Sequence, residues 1–515
     1  MPPTRSPLGF SRRQMLGGAC LAAGTAALAQ ATRTGFRVAA QTGTPEADIP
    51  FGTPIPYVPL PTVGGAPFTE PPVLRSTDGR LDVALTAQRS PTMIGGREVI
   101  SMTYNGQAPG PTLRLRPGET LGVAITNQLD QPTNFHTHGL HVSPAGTSDN
   151  VFVHIMPGES FQFEIAIPDD GISGLSMPGS FWYHPHLHGY TDPQVDGGMA
   201  GASIVEGGLD DLPELRDVPD KVLVLQSTQY ALDGTMIEAP DFAIVDIYVN
   251  GQSVPRMTIA PGETQRWRIM NASSYTFMNL ALEGHTLHQI ASDGNALNAP
   301  WSRDAILISP GERVDVLVQG GGPGTYAFRS LAWGTDFQVQ PEMPIATLVS
   351  AGEAVKPLAL PERLLPFQDL RELPVDRTRE LTFSEVMHPF RPLIDGHAFD
   401  INRVDQTVQL GATEEWRILN TSPDWHPFHI HVNDYQVISI NGEPYEARSW
   451  EDTTAVPAYG EIVMRTRFLD FPGKFVYHCH ILNHEDQGMM GVVEVVDTGE
   501  TGDATSEASI TSRQD

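Results

Sequence analysis

The chain has 515 residues, 40% of them hydrophobic, with 49 glycines and 44 prolines. That length fits two to four domains, each able to bury a core, and abundant turn residues with little helical periodicity point to an all-β protein. The net charge of −29 excludes nucleic acid as a partner, because the phosphate backbone would be repelled; otherwise it serves solubility.

Residues 1–29 read as a leader. Ser11-Arg12-Arg13-Gln14-Met15-Leu16 is a twin-arginine pattern, and a weakly apolar run follows to Ala29. The run is too short to span a membrane. The expectation is export by the twin-arginine route to the periplasm or the cell exterior. Cleavage would leave Cys479 as the one cysteine, with no intrachain disulfide possible. Residues 30–65, rich in Pro, Gly and Thr, read as an extended arm, and regular patterning starts near Pro71.

An internal repeat follows. Pro117-Gly118-Glu119-Thr120 leads to Asn127, Pro261-Gly262-Glu263-Thr264 to Asn271, and Gly411-Ala412-Thr413-Glu414 to Asn420. The Gly-to-Asn spacing is nine residues each time, the pattern of a turn and an alternating strand. A second block recurs: Gly179 to His184 and His186, Gly324 to Arg329 and Leu331, Gly473 to His478 and His480. Three β domains related by duplication are expected at 66–207, 208–365 and 366–497. The middle one has lost its histidines. The polar, acidic tail 498–515 reads as disordered.

Four histidine clusters stand at repeat-equivalent places: His136-Thr137-His138, His184-Pro185-His186, His426-Pro427-Phe428-His429-Ile430-His431 and His478-Cys479-His480 with His484 and Met489. On a strand alternate side chains share a face, so each His-x-His pair points one way. Residues 473–480 read as a strand, with His478 and His480 on one side and Cys479 on the other. A metal on the sulfur and metals on the imidazoles would then be on the order of 10 Å apart, joined by backbone. Thiolate, imidazole and thioether together form a blue-copper ligand set.

These clusters resemble the four copper motifs of the multicopper oxidases of the bacterial laccase-like, three-domain type. The likeness extends to Asn105-Gly106-Gln107-Ala108-Pro109-Gly110-Pro111-Thr112 and to Phe399 through Thr407. The resemblance implies three cupredoxin-like domains (Greek-key β-sandwiches or barrels) and four coppers per chain: one type 1, one type 2 and two type 3. It implies that His426, Cys479 and His484 hold type 1 copper, with Met489 as weak axial ligand and Met490 its rival. It assigns His136 and His429 to type 2 copper, His138, His184 and His480 to one type 3 copper, and His186, His431 and His478 to the other. His141 and His188 are expected to be structural or to support ligands, and His285 and His288, in the copper-free domain, to be structural. His154, His388 and His397 carry no signal.

The chemistry implied is one-electron oxidation of phenols or aromatic amines near His426, coupled to four-electron reduction of dioxygen to water. Four protons are needed, and Glu485 and Asp149 are the expected relays. The expected partners are a small reducing substrate and O2, with no nucleic acid, no membrane span in the mature chain, and a monomer sufficient for the whole site. Oxidation of Cu(I), Mn(II) or Fe(II) in metal tolerance is the first alternative. It is weakened because 356–400 contains only Met387, where copper-specific members carry a methionine-rich insert. Asp424, beside His426, could dock a cation or a phenol proton. Copper storage without turnover is a further alternative. The copper-free cell-division scaffold of the same fold is disfavoured, since it lacks the ligands present here.

Overall fold

Period-two burial shapes the chain. In Arg80–Ile94, Leu81, Val83, Leu85 and Ala87 are buried and the residues between them face outward, so one face of the strand packs and the other meets solvent. The computed structural model describes residues 65–169, 178–231, 233–237, 243–334 and 338–497. The expected leader 1–29, the arm up to residue 64 and the tail 498–515 lie outside the described residues. The described residues are almost entirely strand and turn. Among them the α-helices are Thr191–Asp196 and Leu482–Asp486, and no helix is long and apolar enough to cross a membrane.

The described strands form three sheet pairs and one small two-stranded sheet, Trp333–Gly334 with Val339–Gln340. The first pair lies within residues 73–205, the second within 220–350 and the third within 377–496. Each repeat turn opens a strand that pairs parallel with an earlier one: Thr120–Asn127 with Arg80–Ala87, Arg266–Asn271 with Asp220–Leu225, and Glu414–Asn420 with Arg377–Phe383. Each repeat asparagine is buried and ties down the loop beyond its strand. Asn127 Nδ2 donates to Gln131 O at 2.9 Å, Asn271 Nδ2 to Thr276 O at 2.8 Å and Asn420 Nδ2 to Asp424 O at 2.7 Å. That loop leads into the strand that bears histidines in the first and third copies.

The five-stranded sheets share the order of four strands, with the fifth at one end in the first sheet and at the other end in the second and third. His136–His138 lies at the edge beside Gly179–His184. The equivalent neighbours are Met278–Leu282 beside Gly324–Leu331, and His426–Ile430 beside Gly473–Cys479. The second pair keeps the architecture with Met278 and Leu280 turned into its core. Each pair is held by its own core. Trp416, fully buried with Phe468 and Tyr477 against it, anchors the third, where truncation to alanine would cost about 3–5 kcal/mol.

Candidate metal centre

Two antiparallel strand pairs present the imidazoles. His136 stands opposite His184, and His429 opposite His478. The eight histidines His136, His138, His184, His186, His429, His431, His478 and His480 are all at most 2% exposed. Their ring nitrogens converge. His186 Nε2 lies 3.0 Å from His478 Nε2 and 3.1 Å from His431 Nε2, and the latter two are 3.3 Å apart. His480 Nε2 lies 3.2 Å from His138 Nδ1, and His184 completes that trio, with donors within 4.8 Å of one another. His136 groups with His138 and His429.

The far nitrogens are held. His136 Nδ1 donates to Asp149 at 2.9 Å, His184 Nδ1 to Pro185 O at 2.8 Å and His429 Nδ1 to Asp452 O at 2.8 Å. The Nε2 atoms of these three rings are buried without a hydrogen-bond partner. One nitrogen anchored and the other bare is the signature of a metal-ligating histidine. Burial, with the repulsion of neighbouring imidazoles, pushes His136, His138, His186, His431, His478 and His480 well below the ordinary histidine pKa. The rings are therefore neutral, as ligands must be.

Cys479 faces the other way. Its Sγ lies 3.4 Å from His426 Nδ1 and 3.9 Å from His484 Nδ1, and those nitrogens are 3.3 Å apart. Three donors at about 2.0–2.3 Å from a common ion in one plane stand roughly 3.5 Å apart, so the trio fits a single ion. The strand ends at Cys479, and the one-turn helix Leu482–Asp486 returns His484 to the sulfur. Met489 is buried in the core that contains Cys479, and its carbonyl accepts from Cys479 N at 3.0 Å. Met490 belongs to a different cluster with Val151 and Val476. His426 Nε2 donates to Ser422 Oγ at 2.6 Å, which leaves Nδ1 for the ion. Thus three consecutive residues, His478, Cys479 and His480, contribute to two separate donor clusters, and His478 Nδ1 donates to Cys479 O at 3.0 Å between them.

Three family models, each described as multicopper oxidase, match residues 86–209, 180–352 and 372–499. The chain belongs to the multicopper oxidase family. It is therefore a copper oxidoreductase that uses O2 and small reducing substrates, built on the cupredoxin fold. Its likeness to a multicopper oxidase from Campylobacter jejuni described as a metallo-oxidase has a TM-score of 0.75 at 27% identity, covering 85% of this chain and 96% of that one. The laccase-like multi-copper oxidase CueO from Ochrobactrum sp., with oxidase activity towards lignin model compounds and lignosulfonate, gives 0.73 at 28%, covering 84% and 100%. Cell division protein FtsP of Dickeya dadantii is 28% identical, over 82% of this chain and 91% of that protein.

The two expected acids of the oxidase lie beside ligand candidates. Asp149 is buried, accepts from His136 Nδ1 and Thr137 N, and is pushed up by burial to about 7. Glu485 lies 3.2 Å from His478 Nδ1 and 3.4 Å from His186 Nδ1, and it accepts from Thr191 Oγ1 at 3.1 Å. Burial pushes its carboxyl well above the ordinary value. Of the other histidines, His141 ties the first and third sheet pairs together through Val432 O and Asp470. His285 and His288 bond within the second, and His154 and His188 line a small cavity against His186.

Sequence reasoning missed two residues of the oxidase. Glu385, whose side chain is 1% exposed, stands 3.5 Å from His426 Nε2 and 4.0 Å from His484 Nδ1. Asp452 meets His138 Nε2 at 3.2 Å through its carboxylate, while its backbone carbonyl takes the proton of His429 Nδ1. A glutamate in an alternating strand, or an aspartate in Trp-Glu-Asp-Thr-Thr, carries no local signal. Asp424, weighed above as a dock for either donor class, is 8% exposed, and its backbone carbonyl is bound by Asn420.

Proposed function

We propose that this chain is a laccase-like oxidase of phenolic and aromatic amine donors, exported by the twin-arginine route. It carries four coppers per chain in three cupredoxin-like domains at 66–207, 208–365 and 366–497. His426, Cys479, His484 and Met489 hold type 1 copper, and His136 and His429 hold type 2. His138, His184 and His480 hold one type 3 copper, and His186, His431 and His478 the other. The observation that carries this reading is the back-to-back placement of the Cys479 trio and the eight-imidazole cluster on one strand end. Bound copper supplies the one-electron acceptor and the four-electron reduction of O2 to water.

The protein's own groups do the rest. The thiol of Cys479 receives the Ile481 N–H at 3.4 Å, a contact that favours thiolate. Ser422 fixes the His426 ring, and Asp149 fixes that of His136. Glu485, packed between His186 and His478, holds a proton within reach of the cluster and is the relay on that side; Asp149 is the relay on the other. Both groups come from a single chain, which supports an active monomer.

The chain is also similar to cell division protein FtsP, so the reading rests on the site and not on likeness. A second reading, oxidation of Cu(I), Mn(II) or Fe(II), is favoured by one observation: the buried carboxyl of Glu385 places an acid beside the electron-accepting ring of His426. Oxygen uptake by copper-loaded protein decides. Turnover with a dimethoxyphenol and none with metal ions supports the first reading; the reverse establishes the second. Copper binding with no turnover on either refutes both donor readings.

A further inference from the structure

The second sheet pair carries none of the clustered histidines, yet it reaches their outer nitrogens. Arg313 opens its Arg313–Gln319 strand and is fully buried. The guanidinium meets Asp452 as a two-pronged fork, Nη1 to Oδ1 and Nη2 to Oδ2, both at 2.7 Å. Asp452 in turn holds His138 Nε2 by its carboxylate and His429 Nδ1 by its carbonyl. It thus binds opposite nitrogens of two rings, leaving His138 Nδ1 and His429 Nε2 to face the cluster.

The surroundings fix this geometry. Asp293 accepts from Arg313 N at 2.9 Å, Asp452 N at 3.2 Å and Thr453 N at 3.1 Å. Thr453 Oγ1 donates to Asp452 Oδ1 at 2.7 Å, and Arg313 Nε donates to Ser180 O at 3.3 Å. Gly139, at φ +83°, leaves room for the fork: a Cβ there would stand 2.1 Å from Arg313 Nη2 and 2.4 Å from Asp452 Oδ2.

We propose that Arg313 is a positioning residue for oxygen reduction, setting through Asp452 the ring orientation and tautomer of His138 and His429. The inference rests on the copper reading above. A buried carboxylate persists as a charge only when it is paired and hydrogen-bonded. Only a planar guanidinium supplies two parallel donors to it. Without the fork, Asp452 is free to turn, and the two rings lose their anchor.

The test uses full-length, copper-loaded protein carrying Arg313→Gln or Arg313→Lys. Copper per chain, blue absorption, the type 2 electron paramagnetic resonance signal and oxygen uptake are measured. For Arg313→Gln the blue band and its anaerobic reduction by a phenol stay as in wild type. The type 2 signal is lost or altered, and uptake falls on the order of 10- to 100-fold. Arg313→Lys, which keeps charge but not the fork, recovers part of both. An unchanged type 2 signal with wild-type uptake in Arg313→Gln overturns the proposal. If that variant does not fold, the near-isosteric Asp452→Asn is read by the same two outcomes. A wild-type protein without blue absorption would instead overturn the copper reading.

Discussion

Gly311→Ala is a test that can be worked from distances. Gly311 sits at φ +91°, where a Cβ would lie 2.9 Å from His480 Cδ2, 3.0 Å from Cγ and 3.1 Å from Nε2. An L-residue in left-handed backbone costs about 1–2 kcal/mol. The larger effect is steric. Carbon atoms pack at about 3.5–4.0 Å, so the ring must retreat by roughly 0.5–1 Å. His480 cannot follow as a unit, because its backbone N–H is bound to Pro427 O at 2.7 Å. Metal–ligand distances hold within about 0.2 Å, so the retreat removes His480 from the group it forms with His138 and His184. The folded protein should keep its blue band, and a donor should reduce that band at the wild-type rate. Reoxidation by O2 should slow on the order of 10- to 100-fold. Stopped-flow absorbance separates the two half-reactions. Wild-type reoxidation in Gly311→Ala would refute the claim that the second sheet pair buttresses the cluster.

Further outcomes are expected. Glu485→Gln should slow O2 reduction by about 10²–10⁴-fold if the carboxyl is the proton relay, while anaerobic reduction of the blue band is unchanged; unaltered turnover removes it from the scheme. Trp416→Ala should lower stability by about 3–5 kcal/mol and cut the yield of blue protein, as followed by thermal melting. In the metal-free chain, His184 and His484 are pushed down to about 3, mainly by burial. The unfolded state therefore binds more protons between about pH 6.5 and 3. Melting temperature should fall as pH drops through that window, with no contribution from these two rings above it. Copper loading should raise the melting temperature, and a chelator should reverse the gain.

The sequence reading was strongest where chemistry follows local periodicity. His-x-His on a strand, a cysteine between two such histidines and an asparagine nine residues after a turn glycine all encode geometry in adjacent positions. The asparagines prove to tie down the loops that lead into the histidine strands. The choice of Met489 over Met490 came from the family resemblance; in the structure Met489 packs in the core that holds Cys479 and Met490 in another. What was not legible depends on distance along the chain. Arg313 and Asp452 are 139 residues apart, and nothing in either neighbourhood marks the pair. Glu385 looks like any polar position of a half-buried strand until His426 packs on it. The close approach of Gly311 to His480 exists only once two sheet pairs have met.

Oxygen uptake by copper-loaded Cys479→Ser beside wild type, with phenol as donor, tests most directly whether electrons cross this strand. The variant should lack the blue band, retain the copper held by the eight imidazoles, and consume no oxygen above background. Uptake at the wild-type rate without the sulfur would contradict the claim that electrons pass from one face of this strand to the other.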